Sequence, residues 1–218
     1  KTLATVSFRG FRIAIPIREM LVLEDRMPSG RAYADYMNRL NRILGTMLGA
    51  EIDFIVKGID STTHSAVASR REAMLRKRQT FYLGKDVSGN PYIYPGRLVE
   101  ARVIAVAEKV LRVEAFGIEC AIFARDLSWQ WVSDVRDLYS VGDRVLVRVL
   151  TIDRSDISHI SITADIRSVS STANQSNLDK CVLQGKYAGR VTDVRHGVVF
   201  IRLNNGVNAV AHTCYDRR

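Results

Sequence analysis

Between Gly96 and Thr163 five short β-rich runs follow one another, each bounded by turn residues, and no other feature constrains the fold as tightly. The first, Arg97-Leu98-Val99-Glu100-Ala101-Arg102-Val103-Ile104-Ala105-Val106, is rich in β-branched residues. Val110–Ala115 and Glu119–Ala124 follow, with Gly117 in the turn between them. Residues 128–142 break the pattern, and Val141-Gly142-Asp143 then launches the run Arg144–Leu150. That run alternates charged and apolar residues, as a strand with one solvated face does. A turn at Asp153–Asp156 leads into His159–Thr163, the fifth. Five short strands in about 70 residues, with the main break after the third, predict a partly closed barrel.

Pieces of the same unit recur on both sides. Leu48–Asp60 parallels Val141–Asp153, each running from a glycine turn to an Ile-Asp turn, and Ala66–Ser69 parallels Ile160–Thr163. Near the other end, Gly189–Val194 parallels Ala101–Val106, followed by candidate strands at Val198–Leu203 and Ala209–His212. The expected division is therefore 1–83 for a first copy lacking its opening strand and 84–168 for a complete second copy. A linker at 169–180 and a third copy at 181–218, lacking its closing strands, complete it. The polar run Ser168–Asn177 reads as the linker. The first copy also carries helix: Tyr33, Tyr36, Met37, Leu40, Ile43 and Leu44 recur at three- and four-residue spacing. Ser69-Arg70-Arg71-Glu72 has capping-box spacing, so a helical extension is expected through Phe81.

Charge is uneven along the chain. Of 32 Lys and Arg against 23 Asp and Glu, residues 1–83 hold 14 and 8, residues 84–168 hold 11 and 12, and residues 169–218 hold 7 and 3. The ends are basic and the middle is not, which permits a polyanionic partner at the ends. Three cysteines, far apart, give no metal-ligand spacing and no disulfide framework, which fits a reducing, cytoplasmic setting. No apolar stretch is long enough to span a bilayer, so no membrane partner is expected. Phosphate-cradling loops and nucleophile motifs are absent, so neither catalysis, a cofactor, a metal nor a small-molecule substrate is expected.

Gly189-Arg190-Val191, His196-Gly197-Val198-Val199-Phe200 (with one extra residue) and Ala209-Val210-Ala211-His212 resemble the S1 domain, an OB-fold module. Asp126-Leu127-Ser128, Val141-Gly142-Asp143, Leu48-Gly49 and Ser69-Arg70-Arg71 are similar to further pieces of its pattern. The resemblance implies a mainly β chain of tandem five-stranded OB-fold barrels, the first and last incomplete, with a helical insertion and extension in the first. It also implies a bacterial, non-catalytic protein that binds single-stranded RNA such as mRNA, with the small ribosomal subunit as a further partner. The alternatives are an accessory RNA-binding region of a ribonuclease and a protein-binding adaptor on the ribosome.

Carried over residue by residue, the resemblance places His196 and Phe200 at the aromatic positions of the third copy and His212 at its third-strand histidine. Phe8 is the nearest counterpart in the first copy, where Pro16 replaces that histidine; in the second copy the aromatic pair is absent and Phe123 replaces the histidine. Exposed aromatics stack unpaired bases and flanking cations attract the backbone. The expected RNA contacts are His196, Phe200, His212, Arg190, Arg202, Lys186, Phe8, Arg12, Arg70, Arg71, Arg76, Lys77 and Arg78. Each has a plainer reading: Phe200 as core, His212 as a structural histidine, the Arg70–Arg78 run as a solvated helix face. Trp129 and Trp131 read as packing a loop.

Overall fold

The computed structural model describes residues 3–22, 28–170, 181–195, 198–205 and 207–212. Among these the strands form three sheets. The first sheet contains β1 (Leu3–Phe8), β2 (Phe11–Pro16), β3 (Ile55–Asp60) and β4 (Ser65–Ser69), in the order β1-β2-β4-β3. Only β2 and β4 run parallel. β1 and β2 are joined through Arg9-Gly10, both at positive φ (49° and 82°), the mirror-image turn that suits the twist of a tight hairpin. Helix α1 (Arg31–Gly45) bears out the expected insertion. Its Leu40 is buried against Ile13, Ile15, Ala66 and Ala68, with Tyr36, Met37, Ile43 and Leu44 alongside.

Helix α2 (Arg70–Arg78) begins where the cap was expected: the Ser69 hydroxyl accepts the Glu72 N–H at 3.0 Å. The Glu72 carboxylate pairs with Lys57. Past Arg78 the coil widens into a π turn, Gln79–Leu83. That turn drops Tyr82 into the core of the next unit, where its hydroxyl donates to Ala115 O at 2.9 Å. The segment expected to close the first copy thus contributes to the core built by the following strands.

The middle sheet holds β5 (Leu98–Ala107), β6 (Val110–Ala115), β7 (Ile118–Phe123), β8 (Arg144–Asp153) and β9 (Ser161–Asp165) in the order β7-β6-β5-β8-β9. The edge strands β7 and β9 lie against each other, so the sheet is a nearly closed barrel. Alternate residues (Val103, Leu111, Val113, Ile118, Ile122, Val147, Val149) fill its interior. The expected break after the third strand is α3 (Ala124–Leu127) and a short turn at Val135–Asp137. The fifth strand starts at Ser161 rather than His159, because the His159 ring and backbone N–H both bond back to Asp156 and close a turn.

The last sheet is β10 (Gly189–Arg195), β11 (Val198–Leu203) and β12 (Asn208–His212), in that order. The first of these strands, β10, carries a bulge between Val191 and Asp193. Positions 171–180, most of the expected linker, lie outside the described residues. Among the described residues no helix is long and apolar enough to cross a membrane.

Candidate nucleic-acid interface

Strands β6 and β7 share an outward face on which Glu114 sits opposite Glu119, Arg112 opposite Ala121 and Val110 opposite Phe123. The two ends of this face have different fates. At the glutamate end α2 lies across it. Arg70, with no exposed surface, donates to Glu114 and to Glu119 (2.9 Å), and through its other terminal nitrogen to Met20 O at 2.8 Å. Arg102 bridges Glu114 (2.9 Å) and Asp53, which Lys77 also holds, and Arg112 pairs with Glu119. Burial alone would raise the Asp53 pKa, but the hydrogen bonds and charges of Lys77 and Arg102 outweigh it and hold the carboxyl below 3.8. Arg102 is pushed the other way: burial disfavours its charge, and Glu114 and Asp53 more than restore it.

This overturns part of the expected RNA-contact set. Arg70 and Arg78 are buried, and Arg78 is committed to Gly117 O (2.7 Å), Ser158 O (2.9 Å) and Ile157 O (3.2 Å). Neither can reach a phosphate, because the helix read as a solvated extension is the joint between the first unit and the barrel. Lys77 is engaged by Asp53, and Arg71 is half-buried with an interaction of its own. Arg76 alone of the five is exposed.

At the other end the surface is aromatic. Phe123 is 52% exposed with the Arg125 guanidinium 5.6 Å from its ring centre, and Trp131 is 42% exposed with the Lys109 ammonium at 6.0 Å. Trp129 carries Arg167 over its ring at 4.5 Å and donates its indole N–H to Arg167 O. Each ring thus has a cation beside it, the pairing that attracts and stacks unpaired bases. The thiol nearest this strand end, Cys120, faces the core and is pushed up to about 12 by burial, so it stays protonated at neutral pH. Among the described residues no cluster of His, Cys, Asp or Glu has metal-binding geometry.

Elsewhere, Phe8 is half exposed, with Arg9 over its ring and Phe54 edge-on at 5.8 Å, and Arg12 is exposed nearby. In the last sheet Arg190 and Arg202 are cross-strand neighbours, both exposed, as is Lys186. Phe200 is half-buried, its ring stacked on Trp131 with centres 4.3 Å apart and planes 18° apart. The expectation for His196 lies outside the described residues, as does that for the His212 side chain, although the backbone of His212 ends β12. The Trp129–Trp131 rim is not among the expected contacts; the signal available was two tryptophans separated by one polar residue, Gln130, in the break between two strands.

A small β-barrel with an exposed aromatic and cationic rim defines a class, the oligonucleotide-binding barrels. Residues 93–162, most of the middle barrel, match the family model of the S1 RNA binding domain. The match covers about a third of the chain. The small ribosomal subunit protein bS1 of Coxiella burnetii is 23% identical over 169 residues, 78% of this chain and 29% of its own length. A 4-hydroxy-3-methylbut-2-enyl diphosphate reductase of Clostridium acetobutylicum is 19% identical over 206 residues, 94% of this chain and 29% of that protein. The chain therefore spans less than a third of either relative. A solved a/eIF2alpha–aDim2p–rRNA complex from Pyrococcus horikoshii OT3 aligns over 40% of this chain and 52% of its own, at 23% identity and a TM-score of 0.32.

Proposed function

We propose that the chain is a non-catalytic, cytoplasmic binder of single-stranded RNA, mRNA included, that works with the small ribosomal subunit. The observation that carries this reading is the rim of the S1 domain, where Phe123, Trp129 and Trp131 each stand beside a cation. Such a surface suits unstacked bases and has no means of reading a closed duplex. The kinship with a small ribosomal subunit protein supports the translational setting.

We also read the outer sheets as incomplete copies of the barrel. If the barrel strands are numbered in chain order, the ring runs 1-2-3-5-4, with the parallel contact between 3 and 5. The order β1-β2-β4-β3 with its parallel β2–β4 pair is that ring without strand 1, and β10-β11-β12 is its first arc. On this reading the boundaries near 83, 168 and 180 separate three units, with Phe8, Arg12, Arg190, Arg202 and Lys186 as outlying RNA contacts. Tandem weak sites then gain affinity through effective concentration.

Fluorescence anisotropy with a labelled single-stranded oligoribonucleotide tests the function. Binding should exceed that of a matched duplex and fall steeply from low to physiological salt. Equal affinity for duplex, or an affinity flat in salt, would reject the reading.

A further inference from the structure

The Trp131–Phe200 stack joins the rim of the middle barrel to the last sheet, and it sits where two clefts meet. One, of about 490 Å³, is lined by Lys109, Phe123, Arg125, Gln130 and Trp131 among others, with no carboxylate in its lining. The other, of about 220 Å³, shares Arg125, Gln130 and Trp131 and continues past Trp129 and Arg167 to Phe200. The result is one track of alternating aromatic and cationic side chains. Two carboxylates pair with these cations at the solvent boundary, Glu108 at 3.3 Å from Lys109, and Asp126 at 3.5 Å from Arg125 and 3.7 Å from Arg167. Such exposed pairs are weak and exchange readily for a phosphate.

We propose that Phe200 occupies a base-binding position on Trp131. Single-stranded RNA enters the cleft, an unpaired base replaces the Phe200 ring against the indole, and the strand runs on past Phe123 with Lys109 and Arg125 at its phosphates. The proposal rests on the reading of the chain as a single-stranded RNA binder.

Two observations and one general property of stacking support the exchange. The near-parallel geometry of the two rings, 4.3 Å and 18°, is that of a base on an aromatic platform. A base stacks on an indole at least as strongly as a phenyl ring does, and brings a phosphate that the flanking cations attract. The other end of the outward face on β6 and β7 is closed to any ligand, because α2 and the buried Arg70 cover it. RNA that approaches this face is left with the aromatic rim.

The exchange makes the two members of one stack respond in opposite directions. With a fluorescein-labelled oligouridylate, Trp131→Ala should weaken binding roughly 5- to 100-fold, since a base platform is lost. Phe200→Ala should tighten it about 2- to 10-fold, since a competing ring is removed. Phe200→Tyr keeps the stack and should leave affinity near that of the unaltered chain. In the double variant the tightening should vanish, and circular dichroism on each variant checks that the sheets persist. If Phe200→Ala weakens binding while Phe200→Tyr restores it, Phe200 is itself a platform and the exchange is overturned. Unchanged affinity in Trp131→Ala would overturn it too, leaving RNA binding in place. No binding by the unaltered chain would sink both the exchange and the proposed function.

Discussion

The middle barrel is joined to its two neighbours by opposite kinds of chemistry. Toward the first unit the joint is charged and dry at its centre, Arg70 and Glu114 with Glu119 beside them; Arg102 and the partly exposed Asp53 and Lys77 lie around it, and Arg78 donates to three backbone carbonyls. Gly117, at the tip of the β6–β7 hairpin, lies so close to α2 that an added Cβ would sit 2.4 Å from Met74 O. Toward the last sheet the contact is a pair of partly exposed rings. Desolvated ions tolerate no substitute partner, because each lost contact strands a charge in low dielectric. A ring stack accepts any flat partner. The first joint therefore fixes an orientation, and the second is suited to exchange.

The comparison breaks most directly at Arg70. Arg70→Met removes a buried cation and leaves Glu114 with Arg102 and Glu119 with Arg112. Losing one partner of a buried pair costs about 3–5 kcal/mol, and the retained arginines place this variant toward the lower end. Urea unfolding should show the loss, whereas the change in free energy for Trp131→Ala should stay within about 0.5–1.5 kcal/mol. Equal losses in the two variants would erase the distinction between the joints. A smaller effect is expected at Gly117, whose φ of +84° and contact with Met74 both oppose a side chain. Gly117→Ala should cost roughly 1–3 kcal/mol by overpacking and strain. Its RNA affinity, measured on folded protein, should not change.

Why the two joints differ in legibility follows from what pattern reading detects. Strands with one buried face announce themselves by alternation, and most of those expected in the barrel appear within a residue or two. Helix α1 was visible for the same reason, since its apolar stripe covers one core. The burial of Arg70 and Arg78 is illegible in the sequence because a basic run on a helix looks alike whether it faces water or a neighbour's carboxylates. Their partners, Glu114, Glu119 and Gly117, lie some 40 residues away or more and carry no local mark. The family pattern led to Phe200, but only the placement of the last sheet shows that Trp131 covers its ring. Pairings between units are tertiary facts, and neither periodicity nor motif encodes them.

The smallest expected effect concerns acid. Asp53 joins Lys77 and Arg102 across the charged joint, and its pKa lies below 3.8 in the folded chain despite the opposing effect of burial. A carboxyl whose pKa is depressed by folding stabilises fully above its unfolded value, and that contribution disappears as pH falls through the folded value. The window therefore opens near 3.8 and extends downward. Other carboxylates titrate in the same range, Asp134 among them, held near 2 by its hydrogen bonds from Arg136. The informative quantity is thus the difference in urea midpoint between the unaltered chain and Asp53→Asn, which keeps the acceptor oxygen and removes the charge. That difference should be constant from neutral pH down to about 4 and then shrink. The same series on Trp131→Ala should show no such change, because a ring stack binds no proton. A difference for Asp53→Asn that widened as pH fell would mean that its folded pKa is raised, and that desolvation rather than ion pairing governs the joint.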